Sequence, residues 1–270
     1  MATTATRADA HTPRLFEHDL DPALFTGERL DELVRAAQRR DALGVQWTDP
    51  GRQRYGNDPV YTTPRFPVLD DARTRPVQYR IYGVAEWGPQ EYRDAKERIV
   101  AEHAPDVDIA IVDSVVRVFA PHAVVALHGD PDLKLVCDVS GKTVWYVRPP
   151  GRMSTAEHEN LLRGEFFLRW QESEDEVALP IEPGTGCFVP SRWAHWLDHP
   201  SDEPVVSFEL GFWSRESVRE RKVYDVNWLM RRLRLPVDPA GPGGRNDAHK
   251  HRLFDAISRA TGKGARFRGI

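Results

Sequence analysis

Cysteine is scarce: Cys137 and Cys187 are the two in 270 residues, and they lie far apart. A disulfide scaffold and a CxxC-type zinc site are both excluded, and a reducing compartment is expected. No apolar run approaches the roughly 20 residues of a membrane span, so no membrane partner is expected. Met1 to Arg14 has no apolar stretch, so no secretory signal is expected and a cytoplasmic location is. An excess of positive charge is also missing: 37 Lys and Arg against 41 Asp and Glu leave a formal charge of −4. That balance offers no electrostatic footprint for nucleic acid. With 19 Gly and 21 Pro the chain is not low in complexity, and it has no internal repeat. Apolar material is present instead: 40% of residues are hydrophobic, including 8 Trp, 7 Tyr and 11 Phe, enough to bury a core.

Residues 1–13 are Ala- and Thr-rich without periodicity and read as a disordered tail. Gly27 to Arg40 places Leu30, Leu33, Val34 and Ala37 at helical spacing. Prolines punctuate Asp41 to Pro76, which predicts irregular chain with one or two short strands. Gln90 to Ala104 predicts a second helix with Tyr92, Ala95, Ile99 and Val100 on its buried side. From Asp106 the period changes. Runs at 109–112, 115–119, 124–127, 133–139, 143–147, 176–181, 186–189 and 205–212 predict short strands, with turns at 140–142 and 182–185. Such strands without intervening helices indicate a sandwich or barrel. Ser214 to Arg234 carries Val218, Val223, Val226, Leu229, Met230 and Leu233 along one face and arginines on the other. Pro236 ends it, 239–244 is a flexible link, and Asp247 to Thr261 predicts a last helix.

The residues that carry chemistry are His128-Gly129-Asp130 and, 65 positions later, His195. On a strand, residues i and i+2 share a face, so His128 and Asp130 present an imidazole and a carboxylate together if the strand persists to Asp130. A histidine from a second strand completes a two-histidine, one-carboxylate set. That set covers one face of an octahedral metal and leaves the other open, as in non-haem Fe(II) oxygenases.

The neighbouring sequence resembles a known family. Pro183-Gly184-Thr185-Gly186-Cys187-Phe188-Val189-Pro190, followed by His195, resembles the late strand of cupin and JmjC proteins. His128-Gly129-Asp130-Pro131, then Gly141-Lys142-Thr143, then Pro149-Pro150, resembles the JmjC stretch HxD…GxK…PP. Ser207 to Trp213 resembles the closing strand. The order and spacing agree over roughly residues 105–235, most closely with bacterial cupin-like JmjC-type proteins and more distantly with asparaginyl hydroxylases of that superfamily.

The resemblance implies a mainly β fold, a cupin-type double-stranded β-helix (jelly roll) with N-terminal and C-terminal helical additions. The N-terminal segment is then 14–104, the barrel 105–213 and the C-terminal helices 214–270. It implies catalytic Fe(II) ligands His128, Asp130 and His195, dioxygen, 2-oxoglutarate, and hydroxylation of a small metabolite, an amino-acid derivative or a peptide side chain. One departure bears on 2-oxoglutarate. The family commonly has Lys where this chain has Thr143, and Lys142, one place earlier, should face away. Lys134 keeps the parity of His128 and Asp130, so Lys134 with Thr143 is expected to bind the co-substrate. The alternative is a metal-binding cupin without 2-oxoglutarate chemistry, acting as a ligand-binding or regulatory module.

Other residues have plainer readings. Trp145, Trp193 and Trp196 wall a pocket or, more often for such residues, pack a β-domain. His199, between Asp198 and Pro200, reads as a surface histidine, His122 as a loop residue and His158 as exposed. Arg148 reads as a substrate contact or an exposed strand end, Glu209 as an inward acid or the wet face of an edge strand, and Cys187 as a small buried hydrophobe. Acids interrupt the Arg-rich helix, so it reads as a solvated face with no nucleic-acid role. Its long apolar stripe suggests a homodimer contact.

Overall fold

The computed structural model describes residues 12–48, 61–104, 109–130, 132–149, 175–237 and 247–261. Most of the tail, His158 and the link at 239–244 lie outside them. Among the described residues there are eleven strands: β1 (Arg14–Glu17), β2 (Leu43–Trp47), β3 (Val77–Tyr82), β4 (Ile109–Phe119), β5 (Val124–Gly129), β6 (Leu133–Ser140), β7 (Thr143–Arg148), β8 (Val177–Ile181), β9 (Thr185–Val189), β10 (Ala194–Asp198) and β11 (Val205–Ser214). The helices are α1 (Gly27–Gln38), α2 (Val68–Thr74), the single turn α3 (Val84–Trp87), α4 (Gln90–His103), α5 (Arg215–Arg232) and α6 (Asp247–Thr261). No helix among the described residues is long and apolar enough to cross a membrane.

Two antiparallel sheets face each other. The larger runs β1-β9-β6-β11-β4-β3-β2 and the smaller β5-β10-β7-β8. Strand alternation divides the large sheet between two jobs. Val116 and Val118 of β4, Leu133, Leu135 and Cys137 of β6, and Val206, Phe208, Leu210 and Phe212 of β11 face the helices. There they meet Leu30, Leu33, Val34 and Ala37 of α1 and Tyr92, Ala95 and Ile99 of α4. Each Val, Leu, Ile or Phe among them, fully buried, contributes about 1.5–3 kcal/mol. The alternate positions face the smaller sheet. Phe119, Val136, Cys187, Val189 and Val205 meet Val125, Trp145, Val147, Leu179, Ile181 and Leu197 there. This is a cupin/JmjC-like jelly roll with flanking helices.

Several elements differ from the sequence reading. The runs at 109–112 and 115–119 form one strand, because β11 pairs with β4 along its length. Three strands preceding the barrel segment join its large sheet: β1 pairs with β9, and β2 and β3 extend it beyond β4. On α5, Val223 and Val226 are buried, whereas Leu229 and Leu233 are 37% and 62% exposed, so the packed stripe stops short of the helix end. The turns behave as read: Gly141 (φ 76°) and Gly184 (φ 85°) take the left-handed conformation that glycine adopts without strain.

Candidate metal centre

His128 lies on β5 and His195 on β10, and the two are direct partners in the antiparallel ladder. Their rings stand 4.3 Å apart, centre to centre, at 61°. Asp130 comes one residue after the end of β5, and its backbone carbonyl accepts from the Arg192 N–H (3.0 Å) in the turn before β10. Asp130 Oδ2 is 3.8 Å from His128 Nε2 and 3.5 Å from His195 Nε2. One donor atom from each of the three residues lies within 4.8 Å of the others, and all three residues are buried.

Backbone carbonyls fix the imidazole tautomers. His128 Nδ1 is 2.8 Å from the Ala126 carbonyl oxygen and His195 Nδ1 is 3.0 Å from that of Trp193. A carbonyl only accepts, so each Nδ1 carries the proton and each Nε2 presents its lone pair to the shared centre. Burial, and then the neighbouring His195, lowers the His128 pKa to about 3, so the ring is held neutral. Burial alone would raise the Asp130 pKa, but the Lys134 ammonium 3.0 Å away holds its carboxyl well below the usual range. Two imidazoles and a carboxylate on one side are the donor set that suits Fe(II). His195 Nε2 is buried, with the Asp130 carboxylate as its polar neighbour.

Lys134 Nζ lies 3.0 Å from Asp130 Oδ2 and 3.4 Å from Asp132 Oδ2. Burial opposes its charge, yet Asp130, Asp132 and Glu209 raise its pKa and keep it an ammonium. Burial, helped by Asp130, lifts the Asp132 pKa to about 6 against the pull of Lys134. Gly211 makes room for this acid, since a Cβ there would stand 2.4 Å from Asp132 Oδ2. Thr143 points inward from β7 and is buried, with its hydroxyl beside the Asp138 carboxyl. Lys142 turns outward to Glu182 (2.9 Å).

Trp145, fully buried, lies 5.0 Å from the His195 ring and walls the centre. Trp196 does not. It stacks on Tyr146 (3.9 Å), and its indole N–H donates to Glu176, which also holds Arg148 (2.6 Å). His199 corrects the surface reading: it is fully buried on Phe119 (4.0 Å), and Nδ1 donates to the Ala123 carbonyl (2.7 Å). Glu209 is an inward acid on a central strand, paired with Arg117 at 2.7 Å. His122 is in a turn and exposed, and Cys187 is buried and unpaired.

Sequence reasoning missed Asp132, Asp138, Arg117 and Arg192. The first three fall at inward parity or beside the metal motif, a signal that was present. Arg192 gave none, because its role depends on contacts from its guanidinium to Tyr224 and Glu220 of α5.

The jelly roll has a JmjC-like architecture, and its converging His-Asp-His set could hold a metal ion. No family model matches this chain, and no curated protein matches it. Among solved structures it is similar to the ribosomal oxygenase YcfD of Escherichia coli, with 16% identity and a TM-score of 0.51, covering 93% of this chain and 64% of that one. A second structure of YcfD, in complex with cobalt and 2-oxoglutarate, is 15% identical with a TM-score of 0.51 and the same coverage. The chain thus spans about 64% of the length of YcfD, and the likeness establishes a shared fold.

Proposed function

We propose that this protein is a non-haem Fe(II) oxygenase that uses 2-oxoglutarate to hydroxylate its substrate. The observation that carries the reading is the convergence of His128 Nε2, His195 Nε2 and Asp130 Oδ2, with both tautomers set so that lone pairs face the centre. The complex of YcfD with cobalt and 2-oxoglutarate supports the choice of co-substrate. Bound Fe(II) with 2-oxoglutarate would supply the activation of dioxygen. The chain's own residues do the positioning. His128, Asp130 and His195 hold the metal, Lys134 balances charge beside the Asp130 ligand, and Thr143 offers a hydroxyl to the co-substrate from β7. Trp145 excludes water from the His195 side.

The substrate class within this reading is a side chain of a peptide or protein, in line with YcfD being a ribosomal oxygenase. A small metabolite or amino-acid derivative is the alternative. A cytoplasmic location belongs to the same proposal, supported by two cysteines that are buried and unpaired. Self-association through the C-terminal helices is supported by Leu229, Leu233, Leu235 and Leu253, all exposed there.

Anaerobic addition of Fe(II) followed by 2-oxoglutarate tests the core of this reading. A weak visible charge-transfer band is expected, and His128→Ala is expected to abolish both metal binding and the band. Iron binding without the band would leave a metal-binding cupin that does not use 2-oxoglutarate.

A further inference from the structure

Inside the barrel, one ladder row of the large sheet is unusually polar. Asp138 on β6 pairs with Ser207 on β11, Ser207 with Arg117 on β4, and Arg117 with Arg80 on β3. Direct partners in an antiparallel sheet project to the same face, so these four side chains form a transverse band. Asp138, Ser207 and Arg117 are more than nine-tenths buried and Arg80 is partly buried. The Nε atoms of both arginines and Ser207 Oγ are buried without hydrogen-bond partners. Thr143 reaches the band from the opposite sheet, with its hydroxyl against the Asp138 carboxyl.

Buried polar atoms without partners are rare, because each costs about 1–3 kcal/mol in lost hydration. A cluster of them along one row points to a ligand that answers them. Two arginines side by side on adjacent strands repel, and an anion between them relieves that repulsion. Glu209 answers one of the two charges, through Arg117. Burial pushes the Asp138 carboxyl well above the usual range, which favours its neutral form, and Asp138 stands two strands away from Arg117 in the row. Arg80 stands between Gly44 and Arg117 in the row, with no acid as a direct partner, and two hydroxyls lie along the same band.

We propose that Arg117, with Arg80, Ser207 and Thr143, binds the carboxylate of the 2-oxo acid that is remote from the metal. This rests on the oxygenase reading above. The cation that the family resemblance places on β7, where this chain has Thr143, is supplied instead from the facing sheet. Lys134, held on Asp130 and Asp132, stays at the metal end.

Binding of 2-oxoglutarate and of pyruvate, which lacks the second carboxylate, to the Co(II)-loaded protein tests the inference by calorimetry. The wild type should prefer 2-oxoglutarate by roughly 30-fold, the size of one charge-assisted contact. Arg117→Met combined with Glu209→Gln removes both charges of the buried pair. That variant should keep its Co(II) affinity and bind the two acids within a few-fold of each other. A retained preference in the variant would overturn this inference and leave the oxygenase reading standing. Wild-type protein that binds Co(II) but neither oxo acid would overturn both. If the double variant does not fold, Arg80→Gln decides. It should weaken 2-oxoglutarate about fivefold with pyruvate unchanged, and unchanged 2-oxoglutarate binding would overturn the proposal.

Discussion

His128, His195 and His199 share one hydrogen-bonding habit and have two fates. Each lies with Nδ1 on a backbone carbonyl, at 2.8, 3.0 and 2.7 Å. In the first two, the remaining nitrogen meets Asp130. In His199 it faces a buried interior without a partner, and the ring lies on Phe119. Burial lowers the His199 pKa from 6.5 to about 4. The unfolded chain therefore binds the proton first as pH falls, so this residue favours folding above about pH 6.5 and loses that contribution as pH drops towards 4. The loss approaches about 3 kcal/mol. His199→Gln keeps a donor for the Ala123 carbonyl but does not titrate. Urea unfolding across pH 4 to 7 should show a shallower loss of stability in this variant than in wild type. Equal slopes would mean that His199 is not held neutral in the native state.

At the scale of elements, the least conspicuous strand has a large consequence. β1 is four residues long, yet it caps the edge of the large sheet by pairing with β9, from Arg14 opposite Phe188 to Glu17 opposite Thr185. Its Phe16 lies over Gly186, where a Cβ would stand 2.6 Å from the ring and 2.3 Å from the Val136 carbonyl oxygen. A side chain at 186 would have to displace backbone, so Gly186→Ala should destabilise the protein by about 1–3 kcal/mol, read from its urea midpoint. An unchanged midpoint would show that the edge yields easily. The uneven legibility of the sequence has the same origin in non-local contacts. Strands rich in β-branched residues, such as β4 and β11, and the periodic helices α1 and α4 announce themselves locally. β1 is too short to alternate visibly, and α2 is seven residues behind Pro67. The triad was legible because its spacing carries a motif. The burial of His199 was not, because Asp198-His199-Pro200 looks like a turn and only Phe119, 80 positions earlier, makes it interior. Arg117 and Asp138 became meaningful once strand register put them in one row.

For the molecule as a whole, the centre acts as a clasp between β5 and β10 at one end of the smaller sheet. Arg192 carries that clasp outward, since its N–H holds the Asp130 carbonyl and its guanidinium reaches Glu220 on α5 (3.2 Å). A metal that binds only the folded chain stabilises it by mass action, by about 2.7 kcal/mol at a free concentration one hundred times Kd. In a chain of this length that corresponds to a rise in Tm of roughly 5–10 °C. Scanning calorimetry with Co(II) as the probe should therefore show such a rise in wild type and none in His128→Ala or His195→Ala. Removing the metal with a chelator should return wild type to its starting Tm. Glu220→Gln leaves every donor atom in place but loosens the brace on Arg192, so it should retain a Co(II)-dependent rise of smaller size. A full-sized rise in Glu220→Gln would show that α5 contributes nothing to the centre, and a rise in His128→Ala would show that the metal binds elsewhere.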